Sequence, residues 1–330
     1  MRRLAVCAIL ACLLLTLPAR ATPTYRTYIN MTMRNLGPRG VVIGPGQAVQ
    51  WHDQLIQAHP HWVITDLNWY KVEASPGVYI WPAAFDADYP VLLEAGAEIV
   101  VILKMAPAWA RADTRPCGRI ATQYIPAFAE FARRASLRYP RVNYWLVWNE
   151  ADSQYGEEDY YGCWGDPAEP YFGGAYYASV INPVRTAIKS VNPGDQVYAG
   201  GFMMPSATGA QSNYLRGAIL AGAQFDGVAL HYYAWYSTGN TSPAAQVEKI
   251  RRYTKKPILL TETSMLYTGQ GEPYETAQAN YVHYIRGQVD QLGLQGFVWY
   301  ALADTGWNHS GLMEGARLKP AFDAFASFDD

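Results

Sequence analysis

Val142-Asn143-Tyr144-Trp145-Leu146-Val147-Trp148-Asn149-Glu150 is an apolar and aromatic run that stops abruptly on an amide and a carboxylate. Ile258-Leu259-Leu260-Thr261-Glu262 repeats the pattern further along the chain. Strands covered on both faces read as such near-continuous apolar stretches, as they do in parallel sheets. A carboxylate closing one would be costly to desolvate unless it has a partner or a task. Reading outward, Trp62 to Trp69, Glu98 to Lys104, Val197 to Ala199, Phe225 to Tyr233 and Gly296 to Tyr300 have the same character.

Between these runs lie patterns of helical period. In Ala277 to Leu292, the residues Ala277, Tyr281, Tyr284, Ile285, Val289 and Leu292 recur at three- and four-residue spacing. Tyr124 to Arg138, Tyr176 to Ser190 and the shorter Ala244 to Tyr253 behave likewise. Gly96, Pro140, Pro193, Pro257 and Gly293 punctuate the returns to strand. Seven strands are clear, and an eighth is expected within Tyr25 to Met33. Eight strand–helix units closing on themselves make a (β/α)8 TIM barrel, an α/β architecture expected here as one domain over 22–330. The competing open, doubly wound sheet would bring a phosphate-binding glycine fingerprint if it bound a nucleotide. Gly37 to Gly46 lacks both GxGxxG and a P-loop lysine, and reads as a loop.

Residues 1–21 read as a signal peptide: a basic Met1-Arg2-Arg3, an apolar Leu4 to Leu17, and small residues up to Ala21. The chain is therefore expected to be secreted or periplasmic, with no membrane association once the signal is removed, since no other segment is apolar enough to cross a bilayer. Cleavage leaves Cys117 and Cys163, which an oxidising compartment would join as a disulfide. The 330 residues carry 26 Lys+Arg against 28 Asp+Glu, a net charge of −2, without the clustered positive charge a nucleic-acid binder needs. No Cys/His cluster has metal-ligand spacing and HExxH is absent, so neither metal nor organic cofactor is expected. With 25 Tyr and 11 Trp the chain is rich in flat apolar faces that could meet a ligand, although a Tyr-rich core would give the same numbers.

Barrel active sites lie at the C-terminal ends of the strands, where Glu150 closes the fourth strand and Glu262 the seventh. Two carboxyls facing each other across the mouth are what glycoside cleavage requires, one to protonate a leaving oxygen and one to attack or to activate water. At the separation of about 5–5.5 Å used for retention, and an effective dielectric near 20, they repel by about 3 kcal/mol. That keeps one protonated while its neighbour is ionised. The bland alternative is that both are ion-pair partners of Lys or Arg.

Trp148-Asn149-Glu150, Thr261-Glu262, His231-Tyr232-Tyr233 and Trp299, in this order along the strands, resemble the retaining glycoside hydrolases of clan A. Family 39 is the nearer likeness and family 5 the second. The resemblance implies Glu150 as general acid/base and Glu262 as nucleophile. It implies Asn149 on the sugar 2-hydroxyl, Tyr233 (or Tyr232) donating to Glu262, His231 lining the same face, and Trp299 as the floor beneath the sugar. Ala151-Asp152 follows Glu150 where Pro-Asn is usual in family 39, and Thr263-Ser264 follows Glu262 where an aromatic is more usual. The resemblance implies a β-linked substrate, and an oligosaccharide or polysaccharide is expected because the loops after the strands carry Trp109, Tyr155, Tyr160, Tyr161, Trp164, Tyr171, Phe172 and Trp307 as stacking platforms. Asn68, Trp69 and Lys104, at strand ends, are further substrate candidates, Asp66 a third acid or a structural one, and Asp304 and Glu314 reserve carboxylates. A transglycosylase would use the same residues, and a silent carbohydrate-binding protein could keep the scaffold.

Overall fold

Eight parallel strands close on themselves in the computed structural model, which describes residues 38–154, 163–204, 208–236, 241–266, 271–306 and 309–327. They are β1 (Arg39–Val42), β2 (Trp62–Asn68), β3 (Glu98–Lys104), β4 (Val142–Val147), β5 (Gln196–Phe202), β6 (Gly227–Trp235), β7 (Ile258–Leu266) and β8 (Gly296–Trp299). Each pairs with the next, and β1 also pairs with β8, with Gly40 beside Val298, which closes the barrel. The outer ring contains α1 (His52–Ala58), α2 (Ala83–Glu94), α3 (Ile125–Arg138), α4 (Gly174–Val191), α5 (Tyr214–Leu220), α6 (Ala244–Tyr253), α7 (Glu272–Leu292) and α8 (Pro320–Ala326), one after each strand.

The first strand is not where the sequence placed it. It is Arg39–Val42, inside the Gly37 to Gly46 segment read as a loop, whereas Tyr25 to Met33 and the signal peptide lie outside the described residues. Four residues flanked by Gly and Pro are too few to show a strand pattern, and the flanking turn formers mask them. Glycine at position 40 is nonetheless required: a Cβ there would lie 2.7 Å from the Trp62 carbonyl oxygen.

Alternation along the strands explains the apolar runs. Trp62, Ile64, Val100, Ile102, Leu146, Tyr198, Ala229, Leu259 and Val298 form one cluster that fills the barrel. Their neighbours Val63, Val101, Val147, Val197, Leu260 and Phe297 belong to the second, larger cluster, together with helix residues such as Phe128, Ile181, Ile285 and Phe325. Large and small residues are matched inside. The Trp62 ring occupies the space a Cβ at Gly296 would fill, and the Tyr198 ring does the same at Gly227. Fully burying each large apolar side chain stabilises by roughly 1.5–3 kcal/mol, so the two layers account for the closed architecture.

The strands are least regular where they reach the mouth. Register shifts fall at Gly200/Phe202 between β5 and β6, at Leu230/His231 between β6 and β7, and at Leu260/Thr263 between β7 and β8. Bulges re-aim side chains next to functional sites. Here the shift between β6 and β7 sets His231 opposite Glu262. Cys117, in the loop after β3, and Cys163, in the loop after β4, are joined by a disulfide with Cα atoms 5.4 Å apart. Among the described residues, no helix is long and apolar enough to cross a membrane.

Candidate active site

Glu150 lies just beyond the end of β4, on backbone that the sheet no longer dictates. Trp148 and Glu150 both have left-handed φ values, 68° and 48°. Non-glycine residues adopt this region only when their surroundings hold them there. Trp148 is held by packing, with its ring centroid 4.2 Å from that of Trp164. The Glu150 N–H donates to the Gly201 carbonyl at 3.1 Å, and the Ser153 N–H donates back to the Glu150 carbonyl at 2.8 Å. Asp152, fully buried, accepts from the Met203 and Met204 N–H groups at 3.0 Å each, tying the loop after β4 to the end of β5. Burial pushes the Asp152 carboxyl up to about 6, against the pull of those two N–H groups.

Glu262 is held by the sheet itself, within β7 and in register with His231. Both glutamates are buried, Glu150 to 3% exposure and Glu262 to 8%. His231 stands between them: its Nδ1 is 2.8 Å from Glu150 Oε1 and 3.4 Å from Glu262 Oε2. The Tyr233 hydroxyl donates to Glu262 Oε2. Lys104 Nζ, from the end of β3, pairs with Asp66 Oδ2 at 2.8 Å.

These contacts set the electrostatics. Burial raises the Glu262 carboxyl above its ordinary value and the charge of Glu150 adds to this, while His231, the Tyr233 hydroxyl and Lys104 pull the other way. Burial disfavours a charged His231, but Glu262 and Glu150 outweigh it and raise its pKa. Lys104 likewise stays charged against burial, through Asp66 and the two glutamates. Selected ligand-type atoms of Glu150, His231 and Glu262 all lie within 4.8 Å of one another, the one such group found among the described residues. A cation could bind to that set, yet the 2.8 Å contact of Nδ1 with Oε1 is a hydrogen bond, which holds the groups together without one.

Asn149, His231 and Tyr233 are thus gathered around Glu150 and Glu262, and the buried Asn149 Oδ1 has no protein partner. Trp299 is not gathered. It is 0% exposed, packs on Tyr281 of α7 and donates its indole N–H to the Ser310 carbonyl at 2.8 Å. The reason is parity: Val298 fills the barrel, so Trp299 points outward. The aromatic at the mouth is the next residue, Tyr300, whose ring lies 6.0 Å from that of Tyr233. Counting inward and outward positions along Gly296 to Tyr300 would have found it.

The other candidates divide. Asn68 lines a cavity of about 400 Å³ at the ends of β2 and β3, with Asp66, Tyr70, Lys104 and Arg111. Asp66, expected as a third acid of the site or as a structural residue bonded to backbone, pairs with Lys104 in the lining of this cavity. Trp69 is buried against Trp109, Phe128 and Phe131. Asp304 pairs with Lys319 at 2.6 Å and Glu314 with Arg317 at 2.6 Å, so neither reserve carboxylate is needed. Of the expected platforms, Trp164 and Phe172 are buried, Trp109 packs on Trp69, and Tyr171 lies under Arg216. Trp307 and Tyr155, Tyr160 and Tyr161 lie outside the described residues. Tyr70 and Trp235, at the ends of β2 and β6, are the half-exposed rings that the sequence did not single out. Each closes or follows its strand.

No family model matches this chain, and no curated protein sequence does. Solved structures do. A family 39 glycoside hydrolase from the gut symbiont Bacteroides cellulosilyticus WH2 is 20% identical with a TM-score of 0.67, over 89% of this chain and 64% of its own. A family 39 β-xylosidase from Caulobacter crescentus is 17% identical with a TM-score of 0.62, over 89% of this chain and 71% of its own. Xylanase B from Clostridium stercorarium F9 is 16% identical with a TM-score of 0.64, over 90% of this chain and 98% of its own. This chain therefore spans just under two thirds of the first of these proteins and nearly all of the third. The likeness is one of fold: the (β/α)8 barrel of this chain is shared with glycoside hydrolases.

Proposed function

We propose that this chain is a retaining β-glycoside hydrolase acting on a β-linked oligosaccharide or polysaccharide, with Glu150 as general acid/base and Glu262 as nucleophile. One observation carries the reading: oxygens of the two buried carboxylates approach within 4.8 Å at the ends of β4 and β7, with His231 between them. Retaining enzymes hold their carboxyls about 5–5.5 Å apart, whereas inverting enzymes leave about 6.5–9.5 Å for a water. The N-terminal leader and the Cys117–Cys163 bridge fit an extracytoplasmic protein.

In the first step an oxygen of Glu262 attacks the anomeric carbon as the glycosidic bond breaks, and Glu150 gives its proton to the departing oxygen. Tyr233 and His231 both address Glu262 Oε2, which leaves Oε1 to attack. In the second step Glu150, now a carboxylate, takes a proton from water, and the oxygen of that water replaces Glu262 on the sugar. Asn149 and Tyr300 line the place of the sugar, the amide toward a hydroxyl and the ring beneath the C–H face.

The test is reducing-end release from xylan, mannan, β-glucans and bacterial exopolysaccharides by wild type, Glu150→Ala and Glu262→Ala. Release by wild type that is lost in Glu262→Ala and restored by azide, as a glycosyl azide of opposite anomeric configuration, supports the assignment. Cleavage by Glu262→Ala at the wild-type rate would sink it.

A further inference from the structure

The cavity at the ends of β2 and β3 holds ionisable side chains at the strand ends, where barrel active sites lie. Its ionisable lining is Asp66, Lys104 and Arg111, a surplus of one positive charge in a chain whose net charge is −2. Asp66 already neutralises Lys104, at 2.8 Å, so the surplus belongs to Arg111. Among the described residues Arg111 has no carboxylate partner. Its Nη1 donates to the Thr114 carbonyl at 3.0 Å, and its Nε is shielded from water with nothing to donate to. The neighbouring acid, Asp113, is taken by Arg115 through two contacts.

The rest of the lining suits a sugar. Asn68 offers an amide and Tyr70, 44% exposed, a ring face, while Met105 and Pro116 add apolar wall. Lys104 has protons to spare beyond the one on Asp66, and it lies close enough to Glu150 and Glu262 to feel both charges.

We propose that this cavity is a sugar subsite selective for a residue bearing an oxyanion, a uronic acid carboxylate or a sulfate ester, held end-on by the Nη groups of Arg111 with Lys104 as the second cation. The inference rests on the glycosidase reading for its role and deepens it to a substrate class, acidic β-linked glycans. Paired N–H groups of a guanidinium match two oxygens of either anion, and they leave a neutral hydroxymethyl group with far less to bind.

The experiment measures binding to the full chain, independently of turnover, by calorimetry or ligand-observed magnetic resonance. The probes are methyl β-D-glucoside, methyl β-D-glucuronide and methyl β-D-glucoside 6-sulfate, which differ only at the oxyanion. At least one anionic probe binds wild type about tenfold more tightly than the neutral one, and which one does so identifies the anion. The preference shrinks between about 20 mM and about 300 mM NaCl as charges are screened. Arg111→Gln abolishes it; Arg111→Lys, which keeps the charge and loses the fork, retains a smaller and more salt-sensitive part.

Equal binding of all three probes, binding of none, or a preference that survives Arg111→Gln in folded protein overturns the inference. The two readings fail separately. Oxyanion preference without cleavage of any glycan removes the hydrolase and leaves the subsite. Cleavage of neutral glycans with no preference does the reverse.

Discussion

The two catalytic candidates are held by different physics. Glu262 belongs to a strand: pairing with His231 in the β6–β7 ladder fixes its backbone, and His231 and Tyr233 of that adjacent strand reach its carboxylate. Glu150 belongs to a loop: its left-handed backbone is held by one carbonyl of β5, by the Asp152 clamp and by the packing of Trp148. The sheet thus fixes the proposed nucleophile, while side chains fix the acid/base. Distant substitutions can therefore loosen Glu150 and leave Glu262 in place, but hardly the reverse.

The sharpest way to separate the two is by leaving group. Glu150→Ala is expected to lower kcat/KM by roughly 10²–10⁴-fold on a glycan, the usual worth of a general acid. With an aryl glycoside whose phenolate leaves without a proton, bond cleavage should be nearly spared and glycosyl-enzyme should accumulate as a burst. Glu262→Ala should abolish both substrates alike. Equal losses on both substrates in Glu150→Ala would mean that Glu150 is not the proton donor.

Next in size is the wall behind the loop. Asp152 forms an isolated bridge with Cys163, so the disulfide braces the clamp. A crosslink spanning 46 residues stabilises by about 4 kcal/mol in the chain-entropy model. Cys117→Ser with Cys163→Ser should therefore lower the unfolding free energy by up to that amount in denaturant titration. In the folded variant kcat should fall and KM hold, because the loop that moves carries Glu150. A large loss of stability with unaltered kcat would show that the loop is held without its brace.

Asp152→Asn tests the clamp directly. An amide has one carbonyl oxygen to offer to two N–H donors, and the loss is expected to be about 1–3 kcal/mol. The pH dependence adds a sign. The Asp152 carboxyl titrates at about 6 when folded, above its ordinary 3.8, so the folded chain holds this proton longer than the unfolded one. Its contribution to stability is complete below about pH 4 and is lost as pH rises through 6. The gap between wild type and Asp152→Asn should accordingly narrow from pH 4.5 to pH 7, and a gap constant with pH would exclude this titration.

The same contrast explains what the sequence could be read for. Glu262 was legible as a carboxylate closing an apolar strand, and the family likeness named His231 and Tyr233, which share a face two residues apart. Parity also condemns Trp299, and would have named Tyr300, had inward positions been counted from Val298 rather than from the family likeness. Asp152 and Arg111 were illegible for a different reason. Their partners, Met203, Met204 and the cavity at β2 and β3, come together only when loops of separate units are folded side by side. The first strand was hidden by its own brevity between Gly and Pro. Local pattern thus carries the barrel and the nucleophile, and long-range loop packing carries the rest.

The smallest expected effect is the most specific to the strand-held side. Tyr233→Phe removes a single hydrogen bond and keeps the ring beside Tyr300. That bond lowers the pKa of Glu262, against the upward push of burial and of Glu150. Without it the Glu262 carboxyl titrates higher, and since the nucleophile must be ionised, the acid limb of kcat/KM should move to higher pH. His231, whose pKa the two glutamates raise, should hold its charge to higher pH than an ordinary histidine, and its deprotonation should help set the alkaline limb, which Tyr233→Phe leaves where it was. A rate lowered equally at every pH would mean that Tyr233 acts on the sugar rather than on Glu262. A shift of the acid limb alone, with stability unchanged, would place its effect at that one carboxylate oxygen, on the side of the site that the sheet already holds.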